Sequence, residues 1–308
     1  MHKGSSMHRG RSALKGSSMQ KSGDGSIKAR SQWQDVWARL KRNRVAILGL
    51  CILAGLFFIA IFADVIVSYN QTLTQNVRNR LQPPSAENWF GTDGFGRDVF
   101  ARVIHGSRIS LAVGFFTVLS SLIVGGFIGS ITAYYGGIVD IVIMRFIDIL
   151  MSVPYVLLCI CLVTVLGPGM INLVIAMSIG SVATFAVTVR SAIFTVKNTD
   201  FVEAAKASGV NVPRIILKHL LPSTMGPVIV QATISVGGCI LSAASLSFVG
   251  LGIMPPTPEW GAILTEGKQF IREAPYLIMI PGVFIGLTVL SLNLLGDGLR
   301  DALDPRLR

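Results

Sequence analysis

The sequence predicts an all-α, polytopic membrane protein, built as a bundle of six transmembrane helices, and three observations lead to this prediction. First, 51% of the 308 residues are apolar and only 14% are charged, which is more apolar surface than a soluble domain of this length can bury. Second, the apolar residues form six runs long enough to cross a bilayer core, which needs about 20 residues in a helix. Third, the basic residues are concentrated outside these runs.

The six predicted spans belong to one transmembrane domain, 45–308, and polar segments separate them. In chain order they are 45–68, 109–133, 141–166, 171–189, 228–251 and 276–295. The first run is too long for the core of a signal peptide and is preceded by 44 mostly polar residues, so we expect it to remain as an anchor.

Two segments precede the first span. Residues 1–31 are rich in Ser, Gly and Lys and cannot form a core, which predicts a disordered basic tail. In 32–44, Trp33, Val36, Trp37 and Leu40 lie among Arg and Lys residues at helical spacing. This pattern predicts an amphipathic helix that lies on the membrane lipid.

The charge distribution predicts the topology. An even number of spans places both termini on one side, and the tail, the segment 190–226 and the end after residue 296 hold 19 of the 27 basic residues. Because cytoplasmic loops are enriched in Lys and Arg, we expect these segments in the cytoplasm. The loops 69–108 and 252–275 are then extracytoplasmic, and Trp89 and Trp260 are expected at the outer surface or interface. Five arginines in the first of these loops weaken the topology prediction.

Several function classes lack support in the sequence. The four cysteines lie inside apolar runs, the four histidines have no ligand spacing, and no nucleophile or carboxylate constellation is visible. We therefore expect neither an enzyme nor a metal or cofactor site. The net charge of +11 comes largely from the tail, which does not indicate a nucleic-acid-binding face.

Two small polar constellations interrupt the apolar pattern. Arg145 and Asp148 lie three residues apart at the predicted cytoplasmic end of the third span, which predicts a local ion pair, with a role in coupling motion as the alternative. The outer-loop motif GTDGFGRD lacks the residues of a phosphate-binding loop, so we interpret it as a structured loop whose charges satisfy turns and one another. Contact with a substrate-binding protein is the weaker hypothesis. The residues concerned are Gly91, Asp93, Gly96, Arg97 and Asp98.

The stretch DFVEAAKASGVNVPRIILKHLLP, residues 200–222, predicts two short helices in the cytoplasmic loop. Asp200 and Glu203 have the spacing of a helix start, with Asp200 as the cap and Phe201 as the first helical residue. Gly209 after Ser208 is typical of a helix end, and Pro222 is expected to stop the second helix. The small residues give the first helix a thin surface that suits a groove on another protein; they are Ala204, Ala205, Ala207 and Ser208.

This stretch resembles the coupling motif of membrane subunits of bacterial and archaeal ATP-binding-cassette importers, which implies a place in the plasma membrane of such a cell. The residues that carry the resemblance are Glu203, Ala204, Ala205, Gly209, Leu221 and Pro222. Further stretches resemble the second permease subunit of dipeptide and oligopeptide importers. They are WFGTDGFGRDVFARVIHGSRISL (89–111), MRFIDILMSVP (144–154), LSFVGLG (246–252), PPTPEWG (255–261) and NLLGDGLRDALDPRLR (293–308). The resemblance extends from about residue 40 to the C-terminus and is specific, because separate motifs occur in the same order.

The resemblance implies the type I importer permease fold and a set of partners. These are a second permease subunit, two cytoplasmic ATPase subunits that bind ATP and Mg²⁺, and an extracytoplasmic solute-binding protein that delivers a di- or oligopeptide. Glutathione or a nickel complex is the alternative cargo within the same importer type. Two other classes stay open: an ion-coupled secondary transporter, which transport without an ATPase would indicate, and an anchored interaction protein, whose tail alone would carry the activity.

Overall fold

A computed structural model of the chain describes residues 32–303. The predicted disordered tail and the last five residues lie outside this range. Within it the chain folds into helices, and the only β-type pairing is an isolated bridge between Thr92 and Asp98. The predicted all-α bundle is confirmed.

Thirteen α-helices, α1 to α13, are described in chain order. They are Gln32–Leu40, Arg44–Ile61, Ala63–Ile66, Asn70–Leu73, Val99–Tyr135, Gly137–Ser152, Tyr155–Leu166, Met170–Val196, Asp200–Ala207, Val212–Ile215, Leu221–Phe248, Trp260–Gly267 and Tyr276–Leu303. A π-helical turn, Ile216–Leu220, joins α10 to α11, and short 3₁₀ turns occur at Val77–Asn79 and Lys268–Phe270.

Five helical segments are long and apolar enough to cross a membrane: α2, α5, α8, the continuous stretch Val212–Phe248, and α13. The third predicted span is not a single helix. It is split into α6 and α7, which are bent by 90° relative to each other. Pro154 explains the break, because it lacks a backbone N–H and forces Val153 into an extended conformation.

Two spans extend further than the hydropathy predicts. Helix α5 begins at Val99, where Asp98 accepts hydrogen bonds from the N–H groups of Phe100 and Ala101. Helix α8 continues to Val196, so Arg190 lies inside a helix rather than in the predicted loop. Polar residues at these ends are covered by neighbouring segments, which lets the helices continue beyond the apolar runs.

The most extensive helix contact joins α5 to α8 along small residues. A side chain at Gly125 would meet the backbone oxygen of Val182 and Cβ of Phe185 at 2.6 and 2.8 Å. Gly129 is equally crowded by the backbone of Ala186. Small residues let helices approach closely in lipid, so these two glycines act in bundle packing.

Successive spans reverse direction, which places the starts of α2, α6 and α11 and the ends of α5, α8 and α13 together. Helix α9 lies at this end of the bundle, here named the α9 end. Leu40 of α1 and Ala302 of α13 share a buried cluster there. The opposite end, named the loop end, carries the segments 67–98 and 249–275.

Candidate coupling site

Helix α9 begins one residue earlier than predicted and is capped differently. Thr199 is the N-cap residue, and its side chain makes no capping hydrogen bond. Instead its backbone oxygen accepts from the N–H groups of Val202 and Glu203 at 2.9 and 3.2 Å. Asp200 is therefore the first helical residue and not the cap. Asp200 and Glu203 still lie in the first turn, where negative charge is favourable.

The end of α9 is fixed by its backbone. Gly209 has φ of +71°, the left-handed conformation that favours glycine. The N–H of Val210 donates to the oxygen of Ala205 at 3.2 Å, and the N–H of Gly209 donates to that of Lys206 at 3.0 Å. This pair of bonds is a Schellman motif. The predicted role of Gly209 as the helix end is confirmed.

One face of α9 is seated on the chain's own bundle. Val202 and Ala205 are buried in a cluster that includes Ile193 of α8, Ala133 of α5 and Ile215 of α10. The amine of Lys197 also donates to the oxygen of Ala133 at 3.1 Å. Ala205 was predicted to belong to the outward surface, but it faces inward, because it lies three residues after Val202 on the same side of the helix.

The other face of α9 is exposed and thin. It consists of Asp200, Phe201, Glu203, Ala204, Lys206, Ala207 and Ser208. The hydroxyl of Ser208 bonds back to the oxygen of Ala204 at 2.8 Å, so even this polar group stays close to the helix. The long side chains are Phe201, Glu203 and Lys206, and the amine of Lys206 lies over the ring of Tyr134. A short helix with this profile can enter a shallow groove of another protein with its backbone close to the groove floor.

The sequence predicted that Pro222 would stop the second helix, and this prediction is wrong. The chain is helical without interruption from Val212 to Phe248. The turn before Pro222 is a π-helix, in which the N–H of Leu221 reaches the oxygen of Ile216. A widened turn accommodates the proline ring, which would clash with a carbonyl of a regular α-helix. Pro222 is exposed near the α9 end of this helix and outside the α9 surface.

Arg145 and Asp148 lie together on α6, although their closest side-chain atoms are 3.9 Å apart, beyond hydrogen-bonding distance. They do not lie at the end of the span. Ile147, between them, packs against Ala183 and Ala186 in the middle of α8. Helix α6 begins at Gly137, so Ile147 lies about 15 Å along its axis, which hydropathy alone does not indicate.

A stronger ion pair was missed by the sequence analysis. Arg190 of α8 and Asp140 of α6 form two parallel hydrogen bonds of 2.6 Å at the α9 end. Two such charges, 50 residues apart in the chain, are not recognisable as partners from spacing. The pair fixes the first turn of α6 against α8.

At the loop end, Asp93 and Arg97 are joined by two residues that were not predicted. Asp93 accepts from Arg97 at 2.7 Å and from Arg102 at 2.8 Å, and both arginines reach Glu266 of α12 at 2.5 Å. Three of these side chains are nearly fully buried, with Glu266 slightly accessible. We name Asp93, Arg97, Arg102 and Glu266 the loop-end charge cluster.

Asp98 does not join this cluster, contrary to the expectation that the loop charges satisfy one another. Its carboxylate caps α5 through the N–H groups of Phe100 and Ala101, at 3.1 and 3.4 Å. Burial raises the pKa of Asp98, and the two N–H donors oppose this shift. The capping role agrees with the prediction that these charges satisfy turns.

The two loop glycines have steric reasons for their positions. Gly91 and Gly96 have φ of +76° and +72°, and neither has room for a side chain. A carbon added at Gly91 would lie 2.5 Å from the oxygen of Gln82 and 2.8 Å from the ring of Tyr276. The motif is therefore a tightly folded loop, as predicted.

Glu259 and Trp260 connect three helices beside this cluster, and Trp260 is fully buried rather than at the outer surface. Glu259 caps α12 and accepts hydrogen bonds from Ser110 of α5 and Ser247 of α11 at 3.2 and 3.0 Å. The indole of Trp260 donates to Val103 at 3.0 Å. The motif PPTPEWG contained both residues, but hydropathy could not show that α12 folds back into the bundle. Trp89 is exposed as expected.

The fold and the site define a class of protein: a multi-span membrane protein with a short helix exposed at one end. Multiple apolar helices form the body, and within residues 32–303 no group of three His, Cys, Asp or Glu side chains could hold a metal ion. Helix α9, which is short and exposed at the α9 end, suits contact with another protein.

Comparisons with known proteins identify the class further. The profile described as "Binding-protein-dependent transport system inner membrane component" matches residues 125–308, and that of the "N-terminal TM domain of oligopeptide transport permease C" matches 31–84. The chain is 48% identical to a dipeptide transport system permease protein, DppC, of Alkalihalophilus pseudofirmus over 90% of this chain and 91% of the relative. It is 42% identical to a glutathione transport system permease protein, GsiD, of Escherichia coli, covering 91% and 92%.

A solved structure shares the fold. A chain of the MetNI methionine ABC transporter in an inward-facing conformation aligns with a TM-score of 0.54 at 20% identity, covering 66% of this chain and 96% of that one. The chain therefore belongs to the family of binding-protein-dependent transport system inner membrane components, and it is an ABC importer permease of the type I fold.

Proposed function

We propose that this permease pairs with a second permease subunit to enclose a pathway for di- and oligopeptides, and that α9 couples the pathway to an ATPase subunit. The peptide cargo is supported by the name of the 48% identical relative, a dipeptide permease. The loop end faces outward in this proposal and both termini lie in the cytoplasm, in agreement with the distribution of basic residues.

The observation that carries the proposal is the construction of α9. Its inner face is anchored by Val202 and Ala205, and its end is fixed by Gly209, so the helix cannot shift without moving its seat. Its outer face is small and exposed around Glu203 and Ala204. An anchored helix with a thin outer face transmits a push from a docked partner into the bundle.

The seat defines where such a push would go. Val202 and Ala205 contact residues of α5, α8 and α10, and α10 continues into α11 through the π turn. A displacement of α9 therefore acts on three of the membrane-spanning segments together. Closure of the ATPase subunits on ATP and Mg²⁺ would move α9 and so open the pathway alternately to the two faces.

The remaining partners follow from the same assembly. Two ATPase subunits supply the energy, one docked at α9 and one at the second permease subunit. A solute-binding protein delivers the cargo at the loop end, where the structured loop 91–98 is presented.

Glutathione is a second candidate cargo, and one observation favours it: several 42% identical relatives are named glutathione permeases. Glutathione is itself a short peptide, so both cargoes suit a similar pathway. Competition between labelled dipeptide and glutathione for uptake by the complete importer separates the two.

Replacement Glu203→Lys in the assembled importer tests the coupling role. We expect normal membrane insertion but reduced co-purification of the ATPase, or ATP hydrolysis without uptake. The matched control is Glu87→Lys, the same change at an exposed residue of the loop end. Normal ATPase binding and normal uptake in the Glu203→Lys complex would refute the proposed site.

A further inference from the structure

A turn at the loop end, residues 93–97, holds an aromatic side chain at its tip. Phe95 is 47% exposed, whereas Asp93 and Arg97 on either side of it are nearly fully buried. Oδ1 of Asp93 accepts hydrogen bonds from the N–H groups of Phe95 and Arg97 at 2.9 and 3.0 Å. The backbone of the tip is therefore fixed by a buried carboxylate.

The ring of Phe95 is also held in place. The guanidinium of Arg97 lies 4.7 Å from the ring centroid, and its Nε donates to Oδ2 of Asp93 at 2.7 Å. The ring therefore rests on a buried cation, and its remaining surface is exposed. A side chain that is ordered before binding loses little conformational entropy when a partner covers it.

Two neighbouring turns flank the tip. On one side, the backbone of Gly96 lies directly against Asn76, which precedes a 3₁₀ turn. On the other side, a Cβ at Gly94 would lie 2.6 Å from the ring of Phe270. The residues that follow Asn76 and Phe270 in the chain are therefore neighbours of Phe95.

These neighbours are exposed and of two kinds. Val77 and Ile271 are apolar and are 69% and 56% exposed, and each is followed by an exposed arginine. Together with the tip of the turn they form a surface with an apolar centre and two cationic side chains. We name this surface the outer patch; its residues are Val77, Arg78, Phe95, Ile271 and Arg272.

The outer patch lies beyond the membrane. Asp93 binds Arg102 at 2.8 Å, and Arg102 precedes the apolar run 109–133 of α5 by seven residues. At about 1.5 Å per residue, this places the turn roughly 10 Å outside the hydrocarbon, whereas the headgroup layer is about 5–8 Å thick. Water rather than lipid therefore surrounds the patch. Large apolar side chains grouped in water indicate a site of protein contact.

The charge around the patch indicates the kind of partner. Among the exposed residues of the described segments 67–98 and 249–275, four are basic and two are acidic. The basic residues are Arg78, Arg80, Lys268 and Arg272, and the acidic residues are Glu87 and Glu273. A partner with carboxylates around an apolar pocket complements this surface.

The size of the patch indicates how the partner binds. An aromatic anchor bordered by arginines is typical of the centre of a docking surface. Permanent subunit interfaces are larger and more apolar than a patch with three apolar side chains. The outer patch therefore suits a partner that binds and leaves.

We propose that the outer patch docks the solute-binding protein, with Phe95 in an apolar pocket of that protein and with Arg78 and Arg272 facing its carboxylates. This inference rests on the proposed function, in which a binding protein delivers the peptide at the loop end, and the family of this chain is described as binding-protein-dependent. The loop-end charge cluster is the platform of the patch, because Asp93 and Arg97 belong both to the cluster and to the turn.

Photo-crosslinking in the complete importer tests the location of the docking surface. A benzoylphenylalanine residue replaces Phe95, and in the control it replaces Phe62, which is 42% exposed at the loop end of α2. Both changes are conservative, so the fold is preserved. With the peptide-loaded binding protein of the same importer, we expect an adduct from position 95 and at least ten-fold less from position 62.

Affinity measurements test the aromatic anchor. The dissociation constant of the peptide-loaded binding protein is measured on the importer in lipid nanodiscs. We expect Phe95→Ala to raise it at least ten-fold, because truncation of a central aromatic residue leaves its pocket unfilled. Phe62→Ala, the same change outside the patch, is expected to leave it within two-fold of the wild type.

Charge reversal tests the cationic residues. The double variant Arg78→Glu with Arg272→Glu is expected to raise the dissociation constant at least ten-fold at low salt, and by a smaller factor at high salt, which screens the charges. The control is Arg214→Glu with Lys218→Glu, the same change at exposed residues of the α9 end. We expect no change in the affinity for the binding protein in this control.

Several results would overturn the inference. They are an adduct from position 95 only with lipid or with the second permease subunit, and unchanged affinity in both Phe95→Ala and the Arg78 and Arg272 double variant. If the binding protein binds the wild-type importer and these variants equally, the outer patch assignment fails and the proposed function stands. If no binding protein binds the wild-type importer, delivery by a binding protein fails as part of the proposed function, and the outer patch assignment fails with it.

Discussion

Asp140 and Arg190 form a two-point ion pair, in which Nε and Nη2 of Arg190 lie 2.6 Å from Oδ1 and Oδ2 of Asp140. The pair joins the first turn of α6 to α8. The backbone N of Arg190 is also close to Gly129 of α5, where an added Cβ would lie at 3.0 Å. Three helices therefore meet at Arg190, ten residues before α9 begins.

Replacement Asp140→Asn is expected to destabilise this junction. A hydrogen bond to a charged group contributes about 1.5–3 kcal/mol to the free energy of unfolding. In the Asn variant the guanidinium of Arg190 also loses its counter-charge in a partly buried position. For a chain of this size this corresponds to a fall of roughly 3 to 10 °C in unfolding temperature. Thermal unfolding of the purified subunit in detergent measures the change.

Arg190→Lys provides the matched comparison, since lysine keeps the charge but cannot form two parallel bonds. We expect a smaller fall than in Asp140→Asn. Equal stability of wild type and Asp140→Asn would show that the pair does not hold α6 in place.

Two neighbouring glycines of α5 are expected to respond differently to the same substitution. Gly125→Ala places a Cβ 2.6 Å from the oxygen of Val182, so α5 and α8 must separate. Gly126→Ala meets no atom within 4 Å and raises helix propensity. We expect Gly125→Ala to lower the unfolding temperature and the yield of folded subunit, and Gly126→Ala to leave both unchanged or raise them. The opposite order would contradict the close contact of these helices.

Gly209→Val is expected to disrupt the end of α9. The left-handed conformation costs a residue with a side chain roughly 1–2 kcal/mol, and a β-branched residue is the least suited to it. Gly209→Asn is the control, because asparagine tolerates this conformation at helix ends. ATPase co-purification and proteolysis near residue 209 measure the effect, with membrane insertion expected to be normal in both variants. Equal ATPase binding by the Val and Asn variants would show that the backbone conformation at the end of α9 is not needed for ATPase association.

The sequence predicted the features that depend on short stretches of chain. Apolar runs located the spans, and Gly209 marked the end of α9, because a positive φ is a local requirement of the backbone. Sequence signals for the start or end of a helix were less reliable where the neighbouring turn could adopt another backbone geometry. Pro222 lies inside a continuous helix because a π turn precedes it, and the cap of α9 is Thr199 rather than Asp200.

Features that depend on distant residues could not be predicted from the sequence. Arg102 and Glu266 are 164 positions apart, and only the folding of α12 back into the bundle brings them together. Trp260 was expected at the interface because tryptophan is common there, yet the same folding buries it. The sequence showed the motifs that contain these residues, but it did not show which distant residues they contact.

The loop-end charge cluster leads to a last prediction, for Glu266→Gln. Glu266 balances Arg97 and Arg102, which are buried, and glutamine would leave one positive charge in excess there. Removing one partner of a buried ion pair typically costs about 3–5 kcal/mol. Because the cluster joins the loop before α5 to α12, we expect a lower unfolding temperature together with faster protease cleavage between residues 69 and 98.

Glu273→Gln, at an exposed position of the same loop, is expected to change neither measurement. If Glu266→Gln lowered the unfolding temperature without increasing cleavage in 69–98, the cluster would stabilise α12 alone and would not hold the outer loop.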